Sequence, residues 1–283
     1  MKSNGYDRKA DDLGNIVALE HINVTIPDQA TAVTFYVLGL GLTRDPYMNV
    51  GLGNMWVNVG GQQFHLPTRG VQKIPGHIGL VLPDLEILKK RLGTVEEELK
   101  RTRFKWRDAG DHVAVTGPWG NRFRCHTAGP GFGDMTIGMP YVEFLTRPGT
   151  ARSIGKFYRT VLQAPATFRK GSAAVKVGRN QSLIFTETDK RIPRYDGHHI
   201  AIYIANFSRA HQFLLRRGLI MEESNAHQYR FGDIIDPGTG EKVFALEHEV
   251  RSLYHPMLNR TMVNRNAEQT QRGYVPGRDV YYP

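Results

Sequence analysis

Four positions in this chain carry residue types that hold metals and move protons, and they come in pairs. His21 and Glu143 are 122 residues apart, as are His77 and His199. Their surroundings recur with them. His21 lies fourteen residues before Phe35-Tyr36, and Glu143 lies fourteen before Phe157-Tyr158. Gly76-His77-Ile78-Gly79-Leu80-Val81 returns as His198-His199-Ile200-Ala201-Ile202-Tyr203, and the turn Gly117-Pro118-Trp119-Gly120-Asn121 has a looser echo in Asp236-Pro237-Gly238-Thr239-Gly240. A solenoid unit repeats every 20–50 residues or so, so this longer period marks a duplicated domain. Imidazole and carboxylate at repeated positions could coordinate a divalent cation or relay a proton.

The elements that must position these groups follow one order. Residues 17–26 alternate and are rich in β-branched side chains, which predicts a strand with His21 near its middle. Residues 28–37 predict a helix opening at an acidic cap and turning Ala32, Phe35 and Tyr36 inward, with glycine punctuation after it. Short strands at 55–59 and 63–66 flank the Gly60-Gly61 hairpin signal. A second unit repeats the order: a strand at 77–82, a helix at 84–92 and strands near 112–116 and 121–126. The second half repeats the pair, with strands at 141–145, 174–177, 182–186, 199–204, 228–234 and 242–248 and helices near 151–162 and 207–217.

On this reading residues 1–16 are a disordered leader, 17–127 the first domain, 128–139 a glycine-rich linker and 140–250 the second domain. Residues 251–283 form a polar C-terminal arm or tail. The length of 283 residues suits two domains of ordinary size. No apolar run approaches the roughly 18 residues of a membrane span, and the polar N-terminus lacks a signal-peptide core. A single cysteine, Cys125, permits no internal disulfide and fits a cytoplasmic protein. The net charge of +10 raises nucleic acid as a partner, but the basic residues are scattered and no nucleic-acid module is present. They suit solvated helix faces and attraction of small anions.

The motifs Leu19-Glu20-His21-Ile22-Asn23-Val24, Phe35-Tyr36 with Leu38-Gly39-Leu40-Gly41, Gly76-His77-Ile78-Gly79-Leu80-Val81 and Gly117-Pro118-Trp119-Gly120-Asn121-Arg122 stand in a characteristic order. In this the chain resembles the vicinal oxygen chelate superfamily, which includes glyoxalase I, bleomycin-resistance proteins and type I extradiol dioxygenases. The resemblance implies an α+β fold of two tandem domains. Each would pair two βαβββ units into a cupped, eight-stranded mixed sheet around a metal. The ligands in that family come from the first and fourth strands of each unit.

Carried onto this chain, the resemblance offers His21, His65 and His77 in the first domain. The family's usual glutamate position falls on Arg124, which cannot ligate a cation but could pair an anionic substrate. His126, two residues on and on the same strand face, could substitute. In the second domain the resemblance offers Glu143, Glu187 and His199, with Glu247 or Phe244 at the last-strand position. His198 and His227 are candidate acid–base imidazoles. Three neutral imidazoles from separate strands suit Zn²⁺ or Fe²⁺, and one histidine with two or three carboxylates suits Mn²⁺ or Fe²⁺, so the divalent metal is left open among Fe, Zn, Ni and Mn. The alternative is that these are core histidines and exposed strand carboxylates. Arg124 and His126 beside Cys125 would favour a thiolate, although strand cysteines are usually inert.

The resemblance implies a metal-dependent enzyme whose small substrate is chelated through adjacent oxygens, in glyoxalase-like isomerase or lyase chemistry or extradiol-type ring cleavage. A metal-free protein that binds and sequesters a small molecule is the alternative. Neither nucleic acid nor membrane is expected as a partner, and a homodimer is an option.

Overall fold

The computed structural model describes residues 8–48, 51–265 and 281–282. Four βαβββ units follow one another along them. The first unit comprises β1 (Ile16–Asn23), a helix α1 (Gln29–Ala32) continued as a π-helical stretch over Val33–Gly39, β2 (Thr43–Arg44), β3 (Asn54–Val59) and β4 (Gln62–Pro67). Asp28 starts its helix by accepting from the backbone N–H groups of Ala30 and Thr31 at 3.1 and 2.7 Å, which satisfies donors the helix itself cannot. The second unit comprises β5 (Gly76–Val81), α2 (Leu85–Thr94), α3 (Glu96–Leu99), β6 (Lys105–Asp108), β7 (Val113–Thr116) and β8 (Arg122–His126).

The third unit comprises β9 (Gly138–Thr146), α4 (Ala151–Thr160), β10 (Ala166–Arg169), β11 (Ser172–Gly178) and β12 (Gln181–Glu187). The fourth comprises β13 (His199–Ile204), α5 (Phe207–Arg216), β14 (Ile220–Asn225), β15 (Gln228–Ile235) and β16 (Lys242–Ser252). The short strands β2, β6, β10 and β14 and the helix α3 were not legible in the periodicity, because each is brief and at least half of its length is solvated or irregularly patterned.

The units pair into two open eight-stranded sheets, and here the structure corrects the division at 17–127 and 140–250. One sheet has the order β14-β15-β16-β13-β1-β4-β3-β2, the other β10-β11-β12-β9-β5-β8-β7-β6. The first unit therefore pairs with the fourth, and the second with the third. β1 runs antiparallel to β13 and parallel to β4, and β5 runs antiparallel to β9 and parallel to β8. The stretch 128–139 joins β8 to β9 within one sheet and contains a short 3₁₀ turn, Pro130–Phe132. Periodicity could not see this, because all four first strands present similar apolar patterns and any two could pair.

Consecutive units meet instead through their helices. Tyr36 of the first unit packs on Phe64 of its own unit, and both Phe35 and Tyr36 pack on Phe123 of the second. Phe157 and Tyr158 of α4 meet Phe231 and His248 of the fourth unit. The Tyr158 hydroxyl lies 2.6 Å from His248 Nε2, and His248 Nδ1 lies 2.7 Å from the Leu246 carbonyl, so this buried imidazole is satisfied on both sides.

Both termini are better ordered than expected where they are described. Arg8–Asp11 makes a 3₁₀ turn, and Asn15 is buried with its backbone paired to Gln163 and Ala205; residues 1–7 lie outside the described residues. Arg251 and Ser252 complete β16. Beyond them Arg260 bonds Asp45 and Gln63 at 2.8 Å each, and the Asn264 amide both accepts from and donates to the Gly60 backbone. The arm is thus fastened to the first unit as far as Arg265, and the rest of it, except Tyr281 and Tyr282, lies outside the described residues. No helix among them is long and apolar enough to cross a membrane.

At the junction of β5 and β9 a Cβ on Gly76 would overlap the carbonyl of Glu143. Main chain cannot yield as a flexible side chain does. Gly76→Ala is expected to lower stability by at least the roughly 1–3 kcal/mol of core overpacking, read as the urea midpoint; an unchanged midpoint would show that the two strands can part freely.

Candidate metal centre

The pairing of β1 with β13 decides which histidines meet. Asn23 faces His199, His21 faces Ala201, and on the other side of β1 Asn23 faces His65. Alternation then puts His21, His65 and His199 on one face. One ligand atom from each lies within 4.8 Å of the others. The Nε2 atoms of all three are buried and have no hydrogen-bond partner among the described residues. Three orphaned imidazole nitrogens are costly unless something binds them.

Neighbouring groups set the orientation of these rings. β1 carries a bulge at Glu20, where Leu19 faces Ile202 but His21 already faces Ala201. The Gln181 amide of the other sheet accepts from the Leu19 N–H and donates to its C=O, at 3.1 and 2.9 Å, beside the bulge. The extra residue, Glu20, comes to rest 3.0 Å from Nδ1 of His21. An imidazole held through Nδ1 by a carboxylate turns Nε2 toward the centre, the arrangement that orients metal-binding histidines. The Asn23 amide lies 2.6 Å from His65 Nδ1. Trp56 stacks on His65 with ring centroids 3.9 Å apart and meets His21 edge-on.

Two carboxylates of β16 complete the set. Glu249 lies 3.8 Å from His199 Nε2, and Glu247 lies 3.7 Å from His199 Nδ1. Arg230 bridges both glutamates, and Arg251 links Glu249 to Glu20. Glu20, Glu222, Glu247 and Glu249 share these two guanidiniums, and burial raises the Glu20 carboxyl above its ordinary value. Burial pushes the His21 imidazole down to about 3 and those of His65 and His199 to about 2, well below the ordinary 6.5. Burial alone would raise Glu249, but the charges of Arg251 and Arg230 beside it hold the carboxyl below its usual range. All three imidazoles are therefore neutral at pH 7, with lone pairs available.

The other candidates fall elsewhere. His77 belongs to the second sheet, where its Nδ1 pairs with Glu143 at 2.5 Å. Glu187 accepts from the Ala151 N–H at 2.9 Å and caps α4. Arg124 is exposed on the second sheet, and His126 lies 2.9 Å from the Tyr141 hydroxyl. His198 turns the opposite way to His199, pairing with Asp196 at 2.7 Å and stacking on Phe144. His227 sits in the β14–β15 turn, 3.5 Å from the Ser252 hydroxyl. Phe244 packs against the core, so the last-strand register favours Glu247. Cys125 is fully buried and its thiol is pushed up to about 12, which removes the thiolate reading. Glu249, Glu20, Arg230 and Arg251 had been missed. Glu249 follows Glu247 by two residues, so strand alternation could have found it.

No family model matches the sequence, and neither does any curated protein. Solved structures do. Glyoxalase I from Zea mays is similar with a TM-score of 0.55 and 12% identity, over 83% of this chain and 92% of that one. A protein from Bacillus subtilis subsp. subtilis str. 168, provisionally described as a dioxygenase, is similar with a TM-score of 0.54 and 12% identity, over 84% of this chain and 86% of that one. At such identities the likeness is one of fold.

Burial of His21, His65, His199 and His248 has a consequence for stability. Their folded pKa values lie at about 3, 2, 2 and 3, whereas in the unfolded chain they titrate near the ordinary 6.5. Between these limits the unfolded state binds more protons, so stability present above pH 6.5 is lost as pH falls. With chelator present, unfolding free energy is expected to drop between pH 6 and 5 more steeply than the roughly 1.4 kcal/mol per pH unit that one proton allows. Urea titrations at several pH values measure this, and a flat profile would mean that the imidazoles are solvated or already charged.

Proposed function

Because this chain has the vicinal oxygen chelate fold, in two eight-stranded sheets each built from two βαβββ units, we propose that it is a metal-dependent enzyme acting on a small organic substrate held through adjacent oxygens. The observation that carries this reading is the convergence of His21, His65 and His199 with their Nε2 atoms unpartnered. These three would hold a divalent ion, with Glu249 as the carboxylate nearest to hand. A nitrogen-rich set with one carboxylate suits zinc, nickel, iron or manganese.

Such an ion supplies Lewis acidity toward a carbonyl or enediolate oxygen. The chain's own groups do the rest. Glu20 keeps the proton of His21 on Nδ1, and Arg230 and Arg251 fix the Glu249 carboxylate so that it does not swing away. Trp56 covers the outer face of His65 and excludes water. Glu247, the more exposed of the two glutamates, stands beside His199 where it could take or return a proton.

Of the two chemistries the fold hosts, the donor set favours the isomerase or lyase kind. Glu249 beside the three imidazoles would make a donor set of up to four, which would leave room for a substrate bound through adjacent oxygens, whereas ring cleavage needs room for dioxygen as well. The reading without metal, a binding protein, would leave three buried imidazole nitrogens unexplained.

Plasma mass spectrometry on protein prepared without a histidine tag tests this directly. Close to one equivalent of metal is expected in the native chain and in His77→Ala, and less than a tenth of that in His21→Ala/His199→Ala. Failure of the native protein to take up metal after repletion would overturn the metalloenzyme reading. Iron, together with dioxygen uptake on catechol-like compounds, would keep the metal centre but reject the isomerase or lyase chemistry.

A further inference from the structure

The two sheets share a strand order, and the 122-residue repeat gives residues of the metal centre counterparts on the other sheet. Glu143 repeats His21 and His77 repeats His199, although the pairing is shifted by two residues, so that His77 faces Glu143 directly whereas His199 faces Asn23. β4 places His65 opposite Asn23, and β12 places Thr186 opposite Leu145, the residue that repeats Asn23. The counterpart of His65 is therefore Thr186, which explains why Glu187 faces away. β16 sets Glu247 and Glu249 beside His199 and Ala201, and β8 sets Arg124 beside Gly79 and so Arg122 level with His77. Both carboxylates of the first centre are thus replaced by arginines. Arg230, which neutralises those carboxylates, is replaced by Ala114.

The charge of the second cup is inverted. Lys105 and Arg107 on β6 lie in the same rows as Arg122 and Arg124 through Thr116 and Ala114. None of these four cations forms an ion pair among the described residues, although Arg122 Nε donates to the Gly76 carbonyl at 3.0 Å. Of the carboxylates nearby, Asp108 pairs with Lys89 and Asp111 with His112, while Glu143, held by His77 and Thr186, is the one whose charge also meets that of Arg124. A cavity of about 340 Å³ opens over this face, lined by the four cations, Trp106 and His77 among others. Nε2 of His77 is buried there without a partner, while Nδ1 is held by Glu143.

We propose that the second sheet holds a separate, metal-free site for a small dicarboxylate. Two guanidinium forks on alternate residues of one strand match planar carboxylates, which they grip through paired N–H donors better than a point charge would. Lys105 and Arg107 receive the second carboxylate, and His77, held by Glu143 through Nδ1, turns its unpartnered Nε2 toward the same face. An ion such as Zn²⁺ has no place among four cations. The duplicated fold would thus carry one cup for a cation and one for an anion.

Calorimetric titration of the full chain with malonate and with succinate, at low salt and in the presence of chelator, tests the assignment. One equivalent of dicarboxylate is expected to bind, more weakly as salt rises, and Arg122→Gln/Arg124→Gln is expected to weaken it at least about tenfold. Lys100→Gln, on an exposed helix end, and His21→Ala/His199→Ala should leave it unchanged, which separates this site from the metal centre. Circular dichroism and melting midpoints confirm that the arginine variant is folded; since both side chains are exposed, little change is expected. No dicarboxylate binding by the native chain, or equal binding by the arginine variant, would overturn the proposal. So would inorganic phosphate or a short oligonucleotide binding while dicarboxylates do not.

Discussion

The antiparallel register of β1 on β13, with Asn23 against His199 and His21 against Ala201, is the constraint on which the metal centre rests. It places two imidazoles from opposite ends of the chain on one face, and the parallel neighbours β4 and β16 then add His65 and the two glutamates. The bulge at Glu20 tunes this arrangement. Without the extra residue, the side chains beyond it would lie one step out of phase with β13, since side chains alternate with a period of two. The bulge is in turn held by Gln181, a residue of the other sheet. One sheet thus helps to set the geometry of the other's site.

The centre is expensive to assemble. Three imidazoles, three carboxylates and two guanidiniums are brought out of water, and buried ion pairs rarely repay their desolvation in full. A fold under selection for stability alone would fill this volume with apolar side chains, as the layers around Phe64, Phe123, Phe185 and Phe231 do. Retaining charged and unpartnered groups against that cost is what makes the cluster a candidate for chemistry.

On the proposed readings, the two cups differ in chemistry while sharing a strand order. Tyr36 and Tyr158 remain buried at the same step of the repeat, and the strand orders of the two sheets mirror each other. Among the differences are side chains that point into the cups, where Arg124 stands in the place of Glu249 while both strands keep their parallel pairing. Backbone pairing and cup chemistry are carried by alternate residues of the same strands, so they can vary independently.

The repeat of 122 residues, the four βαβββ units and most of the chemically active residues were legible in the amino-acid sequence, because burial on one face of a strand imposes alternation and duplication preserves spacing. His21, His65, His199 and Glu247 were all visible as candidates. Their grouping was not. The resemblance put His65 and His77 together in one domain with His21, whereas sheet pairing separated His77 from the other two and joined His21 to His199. The choice of Glu249, the turning away of Glu187 and the burial of Cys125 likewise came from register and packing. Periodicity is a local property of each strand, but which strands become neighbours depends on the fit of whole apolar faces across the chain, and that is decided only when the tertiary structure forms.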